Sequence, residues 1–497
     1  MKKYISFIIS IVLLLNGCVV RKENRSYGTT TIVYGVESFP KDLILMEDIK
    51  NKYNYLLANL FEGLVKKDDE GNIIPGLAYK WDISEDGSKY TFKIRHDAKW
   101  SDGNEITSRD FVYFFSEILK QDVKNTFNYH LDYVNGIEEY RKGNLSFDET
   151  GIKEIDKNTL EINLKYPCLY LLDILSSPLY ALRKVNYTLV SWKEDFQYIL
   201  YSGAYKINNF NNDMLELGVN KNYWDGENTK NYKIIIQNEE SEEGVLAAFE
   251  TSRIDFFKIY STSTNYTTKE DTYILQKNSS FSKALAFNCE SEKVKDVELR
   301  KNIYKSIDRE YLGKSVLKDT ALPWEYSNPV EVLEKEYDNI NLQLIYEKNK
   351  YNYEVAREIK TLIKDKLNIN LTLIPLEGLE IEEKLEKGNY DLALIDIIKE
   401  YDNSLSFYEK LSSYNAFNTF NYKNSNYDDI INKVKKTADE AKYKEFLREG
   451  EKILIKDMPI IPLFSEKNLI YTKNNIYNIF LDYEGNILFN NISFNNM

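Results

Sequence analysis

The chain of 497 residues contains only two histidines and three cysteines. Two histidines cannot build a histidine-rich metal centre, and the cysteines lack ligand spacing. A Ser–His–acid triad would have to recruit His96 or His130, and no G-x-S-x-G elbow accompanies either. His96 falls in a hairpin turn, where a structural role is expected. Acidic residues are plentiful, but none stands in glycosidase-like wording. Leu312-Gly313-Lys314-Ser315 fails as a phosphate loop, because Asp308 stands where the first glycine is required. A basic surplus is also missing: 65 Lys and Arg face 78 Asp and Glu, a net charge of -13. Nothing is left over to neutralise nucleic-acid phosphates. Beyond the amino terminus no apolar run is long enough to span a bilayer. No catalytic residue, no metal and no cofactor is therefore expected, and binding becomes the leading class.

What is present is ordinary in bulk. The chain is 43% hydrophobic and 29% charged, and its length suggests two to four domains. Tyrosine is frequent, at 40 residues. It offers apolar area with a polar tip and suits binding surfaces, although compositional drift accounts for it equally well. Met1-Lys2-Lys3 followed by the apolar run Tyr4 to Leu15 reads as a signal peptide. Beyond it lie Cys168 and Cys289, which are expected to be unpaired.

The most informative segment is Pro75 to Leu119. Trp81 and Ile83 alternate with polar residues, Glu85 to Ser88 makes a turn, and Tyr90, Phe92 and Ile94 alternate again. That pattern predicts a half-buried antiparallel pair. Thr107 and Asp110 form a capping-box pattern before Phe111, Phe114, Phe115, Ile118 and Leu119, which share one helix face. The run Tyr53 to Leu64 has helical spacing. From Asn341 to Ile398, strand and helix patterns alternate as βαβαβ, a parallel α/β sheet. Ligands in such sheets sit beyond the carboxyl ends of strands, which directs attention to the residues after Ile398.

The wording of these segments carries more than their periodicity. Pro75-Gly76-Leu77-Ala78 with Trp81, Lys99-Trp100-Ser101-Asp102-Gly103, and Thr107 with Asp110-Phe111 closely resemble the signature of the family 5 extracellular solute-binding proteins. The likeness continues in Tyr201 to Lys206 with Asn222-Tyr223-Trp224-Asp225, and in the helix and strand Gly244 to Phe256. In that segment Ser252 and Arg253 stand where glycine is usual. It runs on through Ala286-Phe287-Asn288, Ser306-Ile307-Asp308-Arg309 and Asp457 to Phe464. There the helix beginning at Val297 is expected to turn Val297, Ile303 and Ile307 inward.

The resemblance implies an α/β, periplasmic-binding-protein-like (type II) two-lobe fold with an extra α+β domain in the N-terminal lobe. The expected parts are a lipoprotein signal peptide (1–17) and a lipidated tether (18–29). Lobe I would comprise 30–59, 185–268 and 472–497, the extra domain 60–184, and lobe II 269–471. Leu15-Asn16-Gly17-Cys18 resembles a bacterial lipobox, which implies lipidation of Cys18 and an extracytoplasmic protein anchored to the cell membrane. The implied role is the receptor of an ABC importer, a monomer that binds peptide and delivers it to permease and ATPase subunits. A nickel chelate, haem, sugar or opine ligand, and a sensor or chaperone lipoprotein without transport, are the alternatives.

After Ile398 the chain reads Lys399-Glu400-Tyr401-Asp402-Asn403-Ser404. By resemblance, Glu400 takes the place of an aspartate that binds the peptide α-amino group, with Asp402 as a second carboxylate nearby. The resemblance fails at three positions: Leu394 replaces an arginine, Asp396-Ile397 replaces Gly-Trp, and Ser404 replaces a proline. Tyr34, Tyr401, Phe407 and Tyr422 are the aromatic candidates for the ligand pocket, each with a core role as the alternative.

Overall fold

Two lobes share one ten-stranded sheet, and its strand order explains how they are joined. The computed structural model describes residues 31–46, 52–68, 70–121, 123, 125, 127–229, 233–259, 272–309, 311–312, 337 and 340–494. The leader, Cys18 and its tether lie outside the described residues, as do Gly313, Lys314 and Ser315.

The first lobe opens with β1 (Thr31–Val36), which is buried along almost its whole length. An inserted domain follows. Its β2 (Val65–Lys67) and β3 (Ile73–Pro75) form a short hairpin. The strands β4 (Ala78–Ile83), β5 (Lys89–Ile94), β6 (Ile152–Asp156) and β7 (Thr159–Asn163) form an antiparallel sheet in the order β4-β5-β7-β6. The two strands form the antiparallel pair that the alternation predicts, with Trp81 opposite Phe92 and Ile83 opposite Tyr90. Burial is unequal, however. Tyr90, Phe92 and Ile94 are buried, whereas Ile83 is 48% exposed, because β4 is the sheet's edge strand. The helix Ser108–Ile118 packs against β6 and β7. Its capping box forms, with Asp110 Oδ2 accepting the Thr107 backbone N–H at 2.8 Å. Phe111, Phe114, Phe115 and Ile118 are buried beneath it.

The first lobe resumes with β8 (Tyr205–Asn211), β9 (Met214–Val219) and β10 (Lys233–Asn238), then the helix Glu242–Glu250 and β11 (Phe256–Ile259). Between that helix and β11, Ser252 adopts a left-handed φ of 58°. This is the turn where the resemblance led us to expect glycine, and the geometry explains the preference.

The strand β12 (Thr272–Phe287) then enters the second lobe, which contains β13 (Asn341–Glu347), β14 (Asn370–Leu376) and β15 (Leu392–Ile398). The helices Lys350–Leu367 and Gly378–Glu386 connect the last three strands, which pair in parallel as β14-β13-β15. The strand β16 (Ile460–Lys473) returns to the first lobe, where it pairs with β11. The full order is β14-β13-β15-β12-β16-β11-β1-β10-β9-β8. In the second-lobe core, the helix Val297–Ser306 buries Leu299 and Ile303, with Ile307 just beyond it, while Val297 is only half-buried. The inward row therefore starts at Leu299. Val297 lies about 200° around the helix from that row.

Among the described residues, the two lobes meet in the sheet only where β12 runs beside β16. Their pairing extends from Thr272↔Lys473 to Ala286↔Ile460, with register shifts after Asn278 and Lys283. A bulged, paired ribbon is a natural place for a bend.

The strained turn gives a direct test. Ser252→Gly should remove the cost of a left-handed serine and stabilise the protein by about 0.5–1 kcal/mol. The urea midpoint should rise with an unchanged slope; an unchanged or lower midpoint would contradict the strain.

Candidate functional site

Leaving β15 at Ile398, the chain turns so that Glu400 and Tyr401 are buried against residues of the inserted domain. The Glu400 backbone N–H donates to Ser406 Oγ at 2.8 Å, which fixes the turn, and the Tyr483 hydroxyl donates to the Glu400 carbonyl at 3.2 Å. The carboxylate itself is almost enclosed, at 4% exposure. Lys410 ion-pairs with Oε1. Oε2 accepts from the Tyr129 hydroxyl and from His130 Nε2, the latter at 2.7 Å. An ionised carboxylate only accepts, so Nε2 carries the proton. His130 Nδ1 lies 3.1 Å from the Tyr180 hydroxyl. Burial pushes the Glu400 carboxyl up, but Lys410 and then His130 more than offset it and hold the group down at about 2.

Tyr401 closes the wall beside this centre. Its ring stacks on Tyr170, with centroids 5.6 Å apart, and meets His130 edge-on at 5.3 Å. Its hydroxyl donates to Glu409 Oε1 at 2.6 Å. Lys435 approaches Glu409 Oε2 at 2.9 Å. These groups border a cavity of about 980 Å³ between the inserted domain and the second lobe. Its apolar wall includes Ile174, Ile381, Leu385, Leu394, Ile395 and Phe417. Asp132 also borders it. Burial pushes the Asp132 carboxyl up to about 6, with Arg141 opposing the rise. Among the described residues no group of His, Cys, Asp and Glu is arranged to hold a metal ion, and no helix is long and apolar enough to cross a membrane.

Of the residues singled out from sequence, the cavity gathers Glu400 and Tyr401. Asp402 lies to one side, where it shares Lys67 with Asp173 at 2.9 and 2.8 Å. Phe407 is buried in the short helix Leu405–Tyr408 and meets Tyr408 edge-on. The Tyr422 hydroxyl donates to Asp457 Oδ2 at 2.8 Å, away from the cavity. Tyr34 sits in the first-lobe core beside Phe256 and Tyr55, and borders a recess of only about 20 Å³. Asp396 and Leu394, noted only as departures from the family wording, do border the cavity. His96 is exposed in its turn. Cys168 and Cys289 are free, and burial pushes the Cys168 thiol up to about 12.

Sequence reasoning missed Tyr129, His130, Lys410 and Lys435. No local pattern marks them. The scarcity of histidine was the one available signal, since a lone buried His in so large a chain needs a partner.

The ionic centre has a pH signature. The Glu400 pKa is depressed on folding, from 4.5 to about 2, so its contribution is complete above about pH 4.5 and is lost as pH falls through about 2. The wild-type stability advantage over Glu400→Gln, read from urea midpoints, should shrink over that window by on the order of 3 kcal/mol. A difference that does not change with pH would contradict the ionised, internally paired carboxylate.

Comparison with known proteins places this architecture. Residues 72–359 match the family described as bacterial extracellular solute-binding proteins, family 5 Middle. The chain is similar to the oligopeptide-binding protein OppA of Bacillus subtilis, at 23% identity over 94% of this chain and 93% of the relative. It is also similar to the dipeptide-binding protein DppE of the same organism, at 23% identity over 82% and 81%. Among solved structures, the murein tripeptide binding protein MppA of Escherichia coli matches with a TM-score of 0.78 at 20% identity, over 94% of this chain and 99% of that one. A match across more than half of the chain, with the two-lobe fold to accompany it, shows that the protein belongs to family 5 of the bacterial extracellular solute-binding proteins.

Proposed function

We propose that the protein is the extracytoplasmic receptor of an ABC importer and takes short peptides into the cleft between inserted domain and second lobe. The cavity carries this reading. At about 980 Å³ it lies near the upper end of small-molecule pockets, too large for a single ion and ample for a few residues. Its walls alternate apolar patches with tyrosine rings, which give contact area without demanding one side chain. The two Bacillus relatives are named for dipeptides and oligopeptides, and the MppA structure for a murein tripeptide.

Closure by bending of β12 and β16 would bring Tyr129 and His130 onto Glu400 and enclose the ligand. Such a receptor needs no chemistry. A ligand that binds the closed form better than the open one drives the change. The closed form would then dock, as a monomer, on permease subunits powered by an ATPase. Lipidated Cys18 would hold the receptor at the membrane surface, since several acyl chains anchor stably where one holds only marginally. We take the inserted domain as 60–184 and the second lobe as 269–471.

Native mass spectrometry of freshly purified protein tests the ligand class. A bound population whose masses differ by amino-acid residues is the expected result. A single non-peptide mass would overturn the peptide assignment and leave the receptor fold standing.

A further inference from the structure

Much of the charge on the cleft wall is paired from within. Besides Glu400, three of its carboxylates already hold a cation of the protein. Glu409 has Lys435 on one oxygen and the Tyr401 hydroxyl on the other. Asp396 is paired with Lys283, whose ammonium also donates to Asn352 Oδ1 at 3.0 Å. Asp132 is paired with Arg141. The two lysines that border the cavity, Lys410 and Lys435, are the ones already engaged. The remaining carboxylates on its border are half-buried, as Glu347, or exposed, as Glu382 and Glu386.

The match is tightest at Glu400. Lys410 is 2% exposed and stands ten residues along the same chain, and its ammonium lies 5.0 Å from the Phe417 ring centroid. A ligand ammonium reaching Glu400 Oε1 would have to expel Lys410 and leave that lysine buried without its partner, and Oε2 is already held by Tyr129 and His130. A ligand carboxylate seeking Lys410 would strip Glu400 in the same way. Either exchange replaces one ion pair with another and strands a buried charge. Resting on the peptide reading, we infer that Lys410 is a built-in ammonium filling the seat on Glu400. The cleft then selects peptides by backbone and side chain, and accepts neutral amino ends as readily as charged ones. This assigns Glu400 a role different from the amine anchor that the family resemblance implies.

The test uses a pool of tetrapeptides, prepared with free amino ends and N-acetylated, titrated against the full chain by calorimetry and native mass spectrometry. Wild type should hold both forms with affinities within about threefold, whereas an ammonium paired with a buried carboxylate would favour the free form about tenfold or more. Lys410→Met opens the seat and should move the preference toward free amino ends by about tenfold. The double variant Glu400→Gln with Lys410→Met should return it to parity. A tenfold free-amine preference in wild type overturns the inference, and so does parity in a folded Lys410→Met protein. Should Lys410→Met not fold, the wild-type ratio and the double variant decide. Binding of neither peptide form would overturn the peptide reading itself, and this inference with it.

Discussion

Everything in the cleft depends on the pairing of β12 with β16. The ten-stranded sheet is continuous, yet among the described residues it passes between the lobes only along this ribbon. The lower part of β16 is tied to β11 and the upper part of β12 to β15, so each lobe grips the ribbon from its own side. One register shift follows Lys283, within the β15 pairing, and the other, between Asn278 and Ser282, lies where the two grips meet, so the ladder is already interrupted there. A bend there costs little hydrogen bonding and leaves both cores intact. The chain ends its parallel βαβαβ unit at β15, next to the ribbon, and Glu400 lies two residues beyond that strand. The candidate site thus lies beside the ribbon, between the two lobes that it joins.

Much of this architecture can be read in the sequence, because its determinants are local. The Thr107–Asp110 box, the apolar face from Phe111 and the βαβαβ alternation all lie within short windows, and each forms as patterned. The glycine-like turn at Ser252 belongs with them, since backbone geometry shows as a residue preference. The misreadings arise where neighbours outside the window decide. Ile83 keeps its period but lies on an edge strand, and Val297 loses its inward place to Leu299 through helix phase. The site itself is half legible. Position along a parallel sheet directs attention past Ile398 and the family resemblance picks out Glu400 there, but its partners His130 and Tyr129 come from the inserted domain some 270 residues away. No periodicity links two such segments. The aromatic candidates scatter for a related reason. Tyr34, Phe407 and Tyr422 have the composition of pocket walls, yet that is equally the composition of a core.

The burial of Glu400 shows how a cleft can close without relying on a charged ligand. Its partners divide by origin. Lys410 and Ser406 are close neighbours in the chain and stay with Glu400 in any arrangement of the lobes. Tyr129 and His130 belong to the inserted domain and meet it only across the cleft. A lone carboxylate withdrawn from water would oppose closure by several kcal/mol. One that carries its own lysine opposes it far less, and the cross-cleft donors then satisfy the second oxygen. Closure thereby buries no unpaired charge at Glu400. On the inferred role of Lys410, the discriminating free energy passes to what the cavity offers besides charge: tyrosine faces, aliphatic patches and space. Contacts of that kind tolerate variation in the ligand, because dispersion and apolar burial depend on area and fit more than on the identity of any one group.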